Sequence, residues 1–299
     1  MKILVTGASG YLGRYILPLL KAAGHEVHAV SSHDRAGDAG VPWEPCDLLA
    51  PGQARQLLDR VRPEALIHLA WYAKHGSFWT ARENLAWADA TAHLLEAFRV
   101  SGGRRVVLAG TCAEYDWSQG YCVEDRTPTN PRTLYGKCKD ATRQFVQTYC
   151  EESGLSYAWG RVFFPYGVGE PAGRLLPSVL RALHQSEPVR CTHGRQFRDF
   201  LHVSDVAAAL VHLAVGTAES GVFNIASGQP VRLGTVVELC ASHFERAEPL
   251  QLGAIPVPAD DPPMLVGSAD KLMATGWRPR VTLEEGIAGY ARSYIDKGR

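Results

Sequence analysis

Tyr135 and Lys139 stand four residues apart in the stretch LYGKCKDATRQF. A helix predicted over 133–152 puts them on one face, where an ammonium can approach a phenol. A phenol ordinarily titrates near 10, and a close cation favours the phenolate. Bringing it to neutrality takes about 3 units, roughly 4 kcal/mol, which a desolvated ammonium at short range can supply. The pair reads as an acid/base with its own cation, although the same spacing also describes an ordinary surface pair. Thr111 follows the apolar run RVVLAG. At the end of a buried parallel strand its hydroxyl points into the crevice at the sheet's C-terminal edge, where it can steady an oxygen. A threonine there also serves as a helix cap or turn former.

Gly7, Gly10 and Gly13 lie in TGASGYLG, after an apolar run and before a helical pattern. Gly7 permits a tight turn, Gly10 lets backbone N–H groups approach a pyrophosphate, and Gly13 allows close packing of helix on strand. The helix N-terminus favours an anion. The context predicts a dinucleotide site that includes Tyr11 and Leu12. The second strand, HEVHAV, runs into Ser31, Ser32, His33, Asp34 and Arg35. An acid at its end would bind ribose hydroxyls and repel a 2′-phosphate. Ser31 and Ser32 stand there instead, and Arg35 can pair with a phosphate, so NADP is favoured over NAD. Asp34 remains an alternative ribose ligand. Asp47 can meet the adenine amino group or cap a helix, and Leu48, Leu69, Ala70 and Trp71 are assigned to the same site.

These residues need a scaffold that brings strand ends together. Short apolar runs at 2–6, 26–30, 65–70, 105–109 and 156–159 alternate with helical patterns at 11–23, 84–100 and 133–152, with Gly24 placed as a C-cap. This alternation predicts a doubly wound α/β domain with a mostly parallel sheet over residues 1–160. Beyond it, frequent Pro, Gly and Arg and short strands, among them 189–191 and 222–225, predict a smaller α+β substrate lobe over 161–299, with 199–217 packing back onto the first domain. The cleft between them is the expected substrate site. With Lys+Arg 31 against Asp+Glu 31, the net charge is zero, which argues against nucleic-acid binding. No apolar run is long enough to span a membrane. Seven scattered cysteines without a CxxC pair point to a reduced, cytoplasmic chain without a zinc site.

TGASGYLG, the CDL turn, IHLA, LAGTCAEY, Tyr135-x-x-x-Lys139, RDFLHVSDVA (198–207), GVFNIASGQPV (221–231) and GWRPRVTLEEGI (276–287) occur in one order along the whole chain. In this the chain resembles the extended short-chain dehydrogenases/reductases, and more narrowly the NAD(P)-dependent epimerase/dehydratase family acting on nucleotide sugars. The resemblance implies that Thr111, Tyr135 and Lys139 form the catalytic triad, with Lys139 also holding the nicotinamide ribose. It implies that Arg198 contacts the substrate diphosphate, with Arg195 a weaker second candidate and Tyr166 beside the substrate. It makes Asn84 structural. An Arg198–Asp199 surface pair is the alternative for Arg198. The sequence departs from the family pattern at Phe164, where an asparagine is common, and around Met264, where an arginine is common.

The residues after Thr111 sort the family's reactions. Dehydratases resemble one another in carrying Asp or Ser and then Glu there; this chain has Cys112 and Ala113, which also disfavours decarboxylation and 3,5-epimerisation. Glu114 reads as a structural or loop-anchoring carboxylate. Ketone reduction and C4 epimerisation need only the triad. The expectation is an NAD(P)H-dependent reductase of a nucleotide-linked 4-keto-6-deoxyhexose. The alternatives are a 4-epimerase with trapped NAD, a reductase of a non-nucleotide ketone or aldehyde, and a dinucleotide sensor without turnover. Trp71, Tyr72, Phe78, Trp79 and Trp87 are read as a hydrophobic lid or subunit contact, or as stacking surfaces, with Lys74 and His75 in reach of the substrate. Trp117 and Tyr121 border the sugar pocket, and Cys112 is expected to confer sensitivity to thiol reagents. The outer faces of the helices at 84–100 and 133–150, with Ala86, Ala90, Leu94, Phe145 and Tyr149, suggest a homodimer.

Overall fold

The computed structural model describes residues 1–33, 40–244 and 250–296. Asp34 and Arg35 lie outside the described residues. The first half alternates as expected: β1 Lys2–Thr6, α1 Gly13–Ala22, β2 Glu26–Ser31, β3 Trp43–Pro45, α2 Gln53–Val61, β4 Ala65–His68, α3 Glu83–Val100, β5 Arg105–Thr111, β6 Tyr121–Cys122, α4 Leu134–Ser153 and β7 Ser156–Val162. The remainder contains β8 Phe164–Tyr166, α5 Leu175–His184, β9 Val189–Cys191, β10 Phe197–Arg198, β11 Phe200–His202, α6 Val203–Val211, β12 Gly221–Ile225, β13 Val231–Arg232, α7 Leu233–Ala241, β14 Leu250–Leu252, β15 Met264–Gly267, α8 Asp270–Ala274 and α9 Leu283–Ile295.

The central sheet is parallel and ordered β12-β7-β5-β4-β1-β2-β3. Its strands are apolar on both faces because helices cover both. Along β1, Ile3 and Val5 join the core under α1 and α6, while Leu4 joins the core under α2, α3 and α4. The strand order reverses beside β1, which opens a crevice at the C-terminal ends of β1 and β4. Thr6, His68 and Thr111 stand at the ends of three neighbouring strands.

The second half returns to this sheet more extensively than expected. Val206, Ala207 and Leu210 of α6 share a core with α1. Val222–Ile225, expected in the substrate lobe, belongs instead to β12, which pairs with β7 from Gly221↔Ala158 to Ile225↔Val162. The physical reason is that a strand whose Phe223, Asn224 and Ile225 are all buried needs hydrogen-bonding neighbours and cover on both faces. The smaller lobe has its own core around Leu180, Val236 and Ile287. A four-stranded sheet β13-β10-β15-β6 ties it to the segment after β5. No helix among the described residues is long and apolar enough to cross a membrane.

Candidate active site

Between the two parts lies a cavity of about 1060 Å³. Gly7, Gly10, Tyr11 and Leu12 line one end, with Ser31, Ser32, Asp47 and Leu48 beside them. Leu69, Ala70 and Trp71 continue the wall to Thr111, Tyr135 and Lys139, and Arg198 stands on the lobe side. Gly7 adopts φ 66, and a Cβ there would fall 2.7 Å from the Ala70 backbone nitrogen. The turn is thus wedged against the end of β4 in a conformation glycine tolerates best. Gly13 lies beneath the loop, where a Cβ would meet the Ala8 carbonyl oxygen at 2.4 Å. A backbone loop entering a helix at a strand end suits a dinucleotide: the loop would hold its pyrophosphate and Lys139 its ribose. Asp47 is exposed and accepts from the Leu49 backbone N–H at 3.0 Å. It does not cap α2, whose N-cap is Gly52.

Thr111, Tyr135 and Lys139 are brought to one cavity by two local devices. After β5 the chain turns into a short 3-10 helix, Cys112–Glu114, with Thr111 as its N-cap. The Thr111 Oγ1 accepts from the Ala113 N–H, and the Glu114 carboxylate accepts from the Thr111 N–H at 2.8 Å, a capping box. Glu114 is fully buried and also accepts from Trp159 Nε1 at 3.0 Å and Arg161 Nε at 2.7 Å. The second device is α4, whose N-cap Thr133 accepts from the Gly136 N–H at 3.1 Å. A Cβ on Gly136 would lie 2.4 Å from the Ala113 carbonyl oxygen. The helix therefore abuts the Thr111 turn and brings the Tyr135 side chain to the Thr111 end of the cavity.

Desolvation pushes the Tyr135 phenol well above its ordinary range, against the lowering effect of the nearby Thr111 side chain. It also brings the Lys139 ammonium down to about 7, with the Glu114 charge opposing. Lys139 Nζ donates to the Ala109 carbonyl at 2.8 Å and sits 3.7 Å from the centre of the Trp71 ring. Trp71 Nε1 in turn donates to the buried Asn84 side chain at 2.8 Å. The aromatic segment packs on the tyrosine itself: the Phe78 ring meets Tyr135 edge-on at 4.9 Å, and Trp79 at 5.8 Å. His75 lines the cavity and touches Gly173 of the lobe.

Several residues stand elsewhere than expected. Tyr166 is buried in the lobe core against Phe200, its hydroxyl near the Thr282 and Leu283 carbonyls, and does not line the cavity. Its position in β8, next to β11, turns the ring inward. Arg195 is exposed and outside the cavity, as is Tyr121. Cys112 lines the cavity as expected, but it is buried and its thiol is pushed up by burial, which disfavours the thiolate that reagents attack. Arg198 pairs with Asp261, not Asp199. Asp199 is buried and accepts from the Ser227, Gly228 and Gly267 backbone N–H groups. Glu170, Arg174 and Asp261 line the cavity without having been singled out in the sequence. Only the four-residue spacing of Glu170 and Arg174, which form an ion pair at 3.2 Å, was a signal.

A sequence profile of the NAD dependent epimerase/dehydratase family matches residues 3–226. The chain belongs to that family. Among curated relatives it is similar to a UDP-glucose 4-epimerase of Corynebacterium glutamicum, 27% identical across 94% of this chain and 92% of the relative. It is similar also to a dTDP-6-deoxy-L-talose 4-dehydrogenase (NAD(+)) of Aggregatibacter actinomycetemcomitans, 28% identical across 83% of this chain and 93% of that one. Among solved structures, the Thermus thermophilus UDP-glucose 4-epimerase in complex with NAD superposes with a TM-score of 0.84. It is 25% identical, covering 99% of both chains. The family member described here is an NAD(P)-dependent enzyme on a Rossmann-like fold.

Proposed function

We propose that this family member is a cytoplasmic NAD(P)H-dependent reductase acting at C4 of a nucleotide-linked 4-keto-6-deoxyhexose. The observation that carries the reading is a half-buried Tyr135 phenol, its pKa raised so that it keeps its proton, in one cavity with Thr111, the glycine loop and Arg198. The glycine loop and Lys139 would hold a reduced dinucleotide, which would supply the hydride. Tyr135 supplies the proton to the carbonyl oxygen, and Thr111 steadies that oxygen as charge develops. Lys139, protonated, offsets the phenolate that remains. Arg198 offers the guanidinium for a substrate diphosphate. Ala113, small and buried, supplies no acid/base group at the position where dehydratases resemble one another in carrying a glutamate. Ser31 and Ser32 at the β2 end favour NADP, and Arg35 supports that choice from sequence alone.

C4 epimerisation is the second reading, because UDP-glucose 4-epimerase is similar over nearly the full chain. One experiment separates them: identify the nucleotide released from purified protein, then assay Tyr135→Phe. A site that exchanges NADPH and loses about 10²–10⁴-fold in ketone reduction in the variant, with dinucleotide binding retained, supports the reductase. Tightly retained NAD with interconversion of C4 epimers overturns it.

A further inference from the structure

The lobe side of the cavity has an unusual charge arrangement. Its two lining arginines each face a carboxylate that also lines the cavity: Arg174 with Glu170, and Arg198 with Asp261. The second pairing is the closer, with Arg198 Nη2 2.5 Å from Asp261 Oδ1. Arg198 Nη1 donates to the Phe197 carbonyl at 2.7 Å, and the Arg198 side chain is only 6% exposed. The other Asp261 oxygen accepts from Gln196 Nε2 at 3.0 Å. Gln196 and Arg198, two apart along one extended segment, thus grip both oxygens of a single carboxylate. Backbone contacts hold that carboxylate in place: the Asp261 N–H donates to Pro258 O at 3.1 Å, and the Phe197 N–H to Pro263 O at 2.8 Å.

A guanidinium presents the same donor edge to a carboxylate as to a phosphate, so the two compete for it. We propose that Asp261 is a specificity-determining latch: its carboxylate occupies Arg198 in the free protein and must leave before a substrate diphosphate can bind there. This rests on the nucleotide-linked substrate proposed above. Asp261 thereby sets how strongly the site favours a dianionic diphosphate over a less charged ligand. Removing the carboxylate leaves a buried guanidinium uncompensated until an anion arrives, which weakens the free protein and strengthens anion binding.

The test is calorimetric titration of UDP into wild type, Asp261→Asn, Arg198→Met and the double variant, each saturated with NADP⁺. NADP⁺ titration of each variant checks that the fold is retained. The latch requires Asp261→Asn to bind UDP at least tenfold more tightly, and this gain to vanish in the Arg198→Met background. It also requires the free Asp261→Asn protein to melt lower than wild type and to recover more on adding UDP. Equal or weaker UDP binding by Asp261→Asn overturns the latch while leaving the nucleotide reading intact. A gain that persists without Arg198 overturns it too. If millimolar UDP binds to none of the four proteins, the nucleotide-linked substrate falls together with the latch.

Discussion

Beside the candidate catalytic residues, His68 links the ends of two strands to a helix. Thr91 Oγ1 donates to the Trp87 carbonyl at 2.7 Å, so it accepts from His68 Nε2–H at 3.1 Å. With the imidazole neutral, His68 Nδ1 accepts from Thr6 Oγ1–H at 2.7 Å, while Thr6 Oγ1 accepts from the Ala70 N–H. A neutral imidazole satisfies every member of this network. Burial, with Lys139 adding to it, lowers the His68 pKa to about 3. Between that value and its ordinary 6.5, the unfolded chain binds a proton that the folded one does not, so this group makes stability rise with pH across the window. The slope approaches ~1.4 kcal/mol per pH unit. Urea denaturation of wild type and His68→Gln from pH 4 to 7 should show a flatter rise in the variant. Parallel profiles would mean that the imidazole is not held neutral by this network.

At the scale of elements, the site depends on how closely α4 approaches the turn after β5. Gly136 makes that contact possible, since its missing Cβ would press on the Ala113 carbonyl. In an isolated helix, alanine would be worth roughly 1 kcal/mol more than glycine. Here the clash wins, because overpacking against backbone costs about 1–3 kcal/mol. Gly136→Ala should therefore lower the melting temperature and cut turnover by tenfold or more, as α4 moves Tyr135 away from Thr111, while dinucleotide affinity changes little. Unaltered turnover in that variant would show that the helix position is not what aligns the phenol. The glycine inside LYGKCK was visible in the sequence, but its partner was not: Ala113 and Gly136 meet only once α4 lies beside β5.

For the whole molecule, the assembly proposed from the helices at 84–100 and 133–150 takes a narrower form. Ala90 and Leu94 are buried within the chain, so they belong to its own core. What remains outward on α3 is Leu85, 57% exposed, with Ala86 and Val100, beside the half-buried Phe145 and Tyr149 of α4. We propose a homodimer through this face. Light scattering should give twice the chain mass of 32.6 kDa, and Leu85→Glu should shift it towards one chain. A single-chain mass for the wild type at working concentrations removes the proposal.

The doubly wound sheet, the glycine loop and the Tyr135–Lys139 pair were legible in the sequence because each rests on local periodicity or fixed spacing. A strand followed by glycines and a helix, or two residues one helical turn apart, carries its geometry in the order of residues. Tertiary structure alone decided the rest. It seated Gly221–Ile225 at the edge of the central sheet and turned Tyr166 inward. It also placed Asp261 against Arg198, 63 residues away. Such pairings depend on which surfaces meet after the two halves pack, and no spacing along the chain encodes a contact between side chains brought together by separate elements.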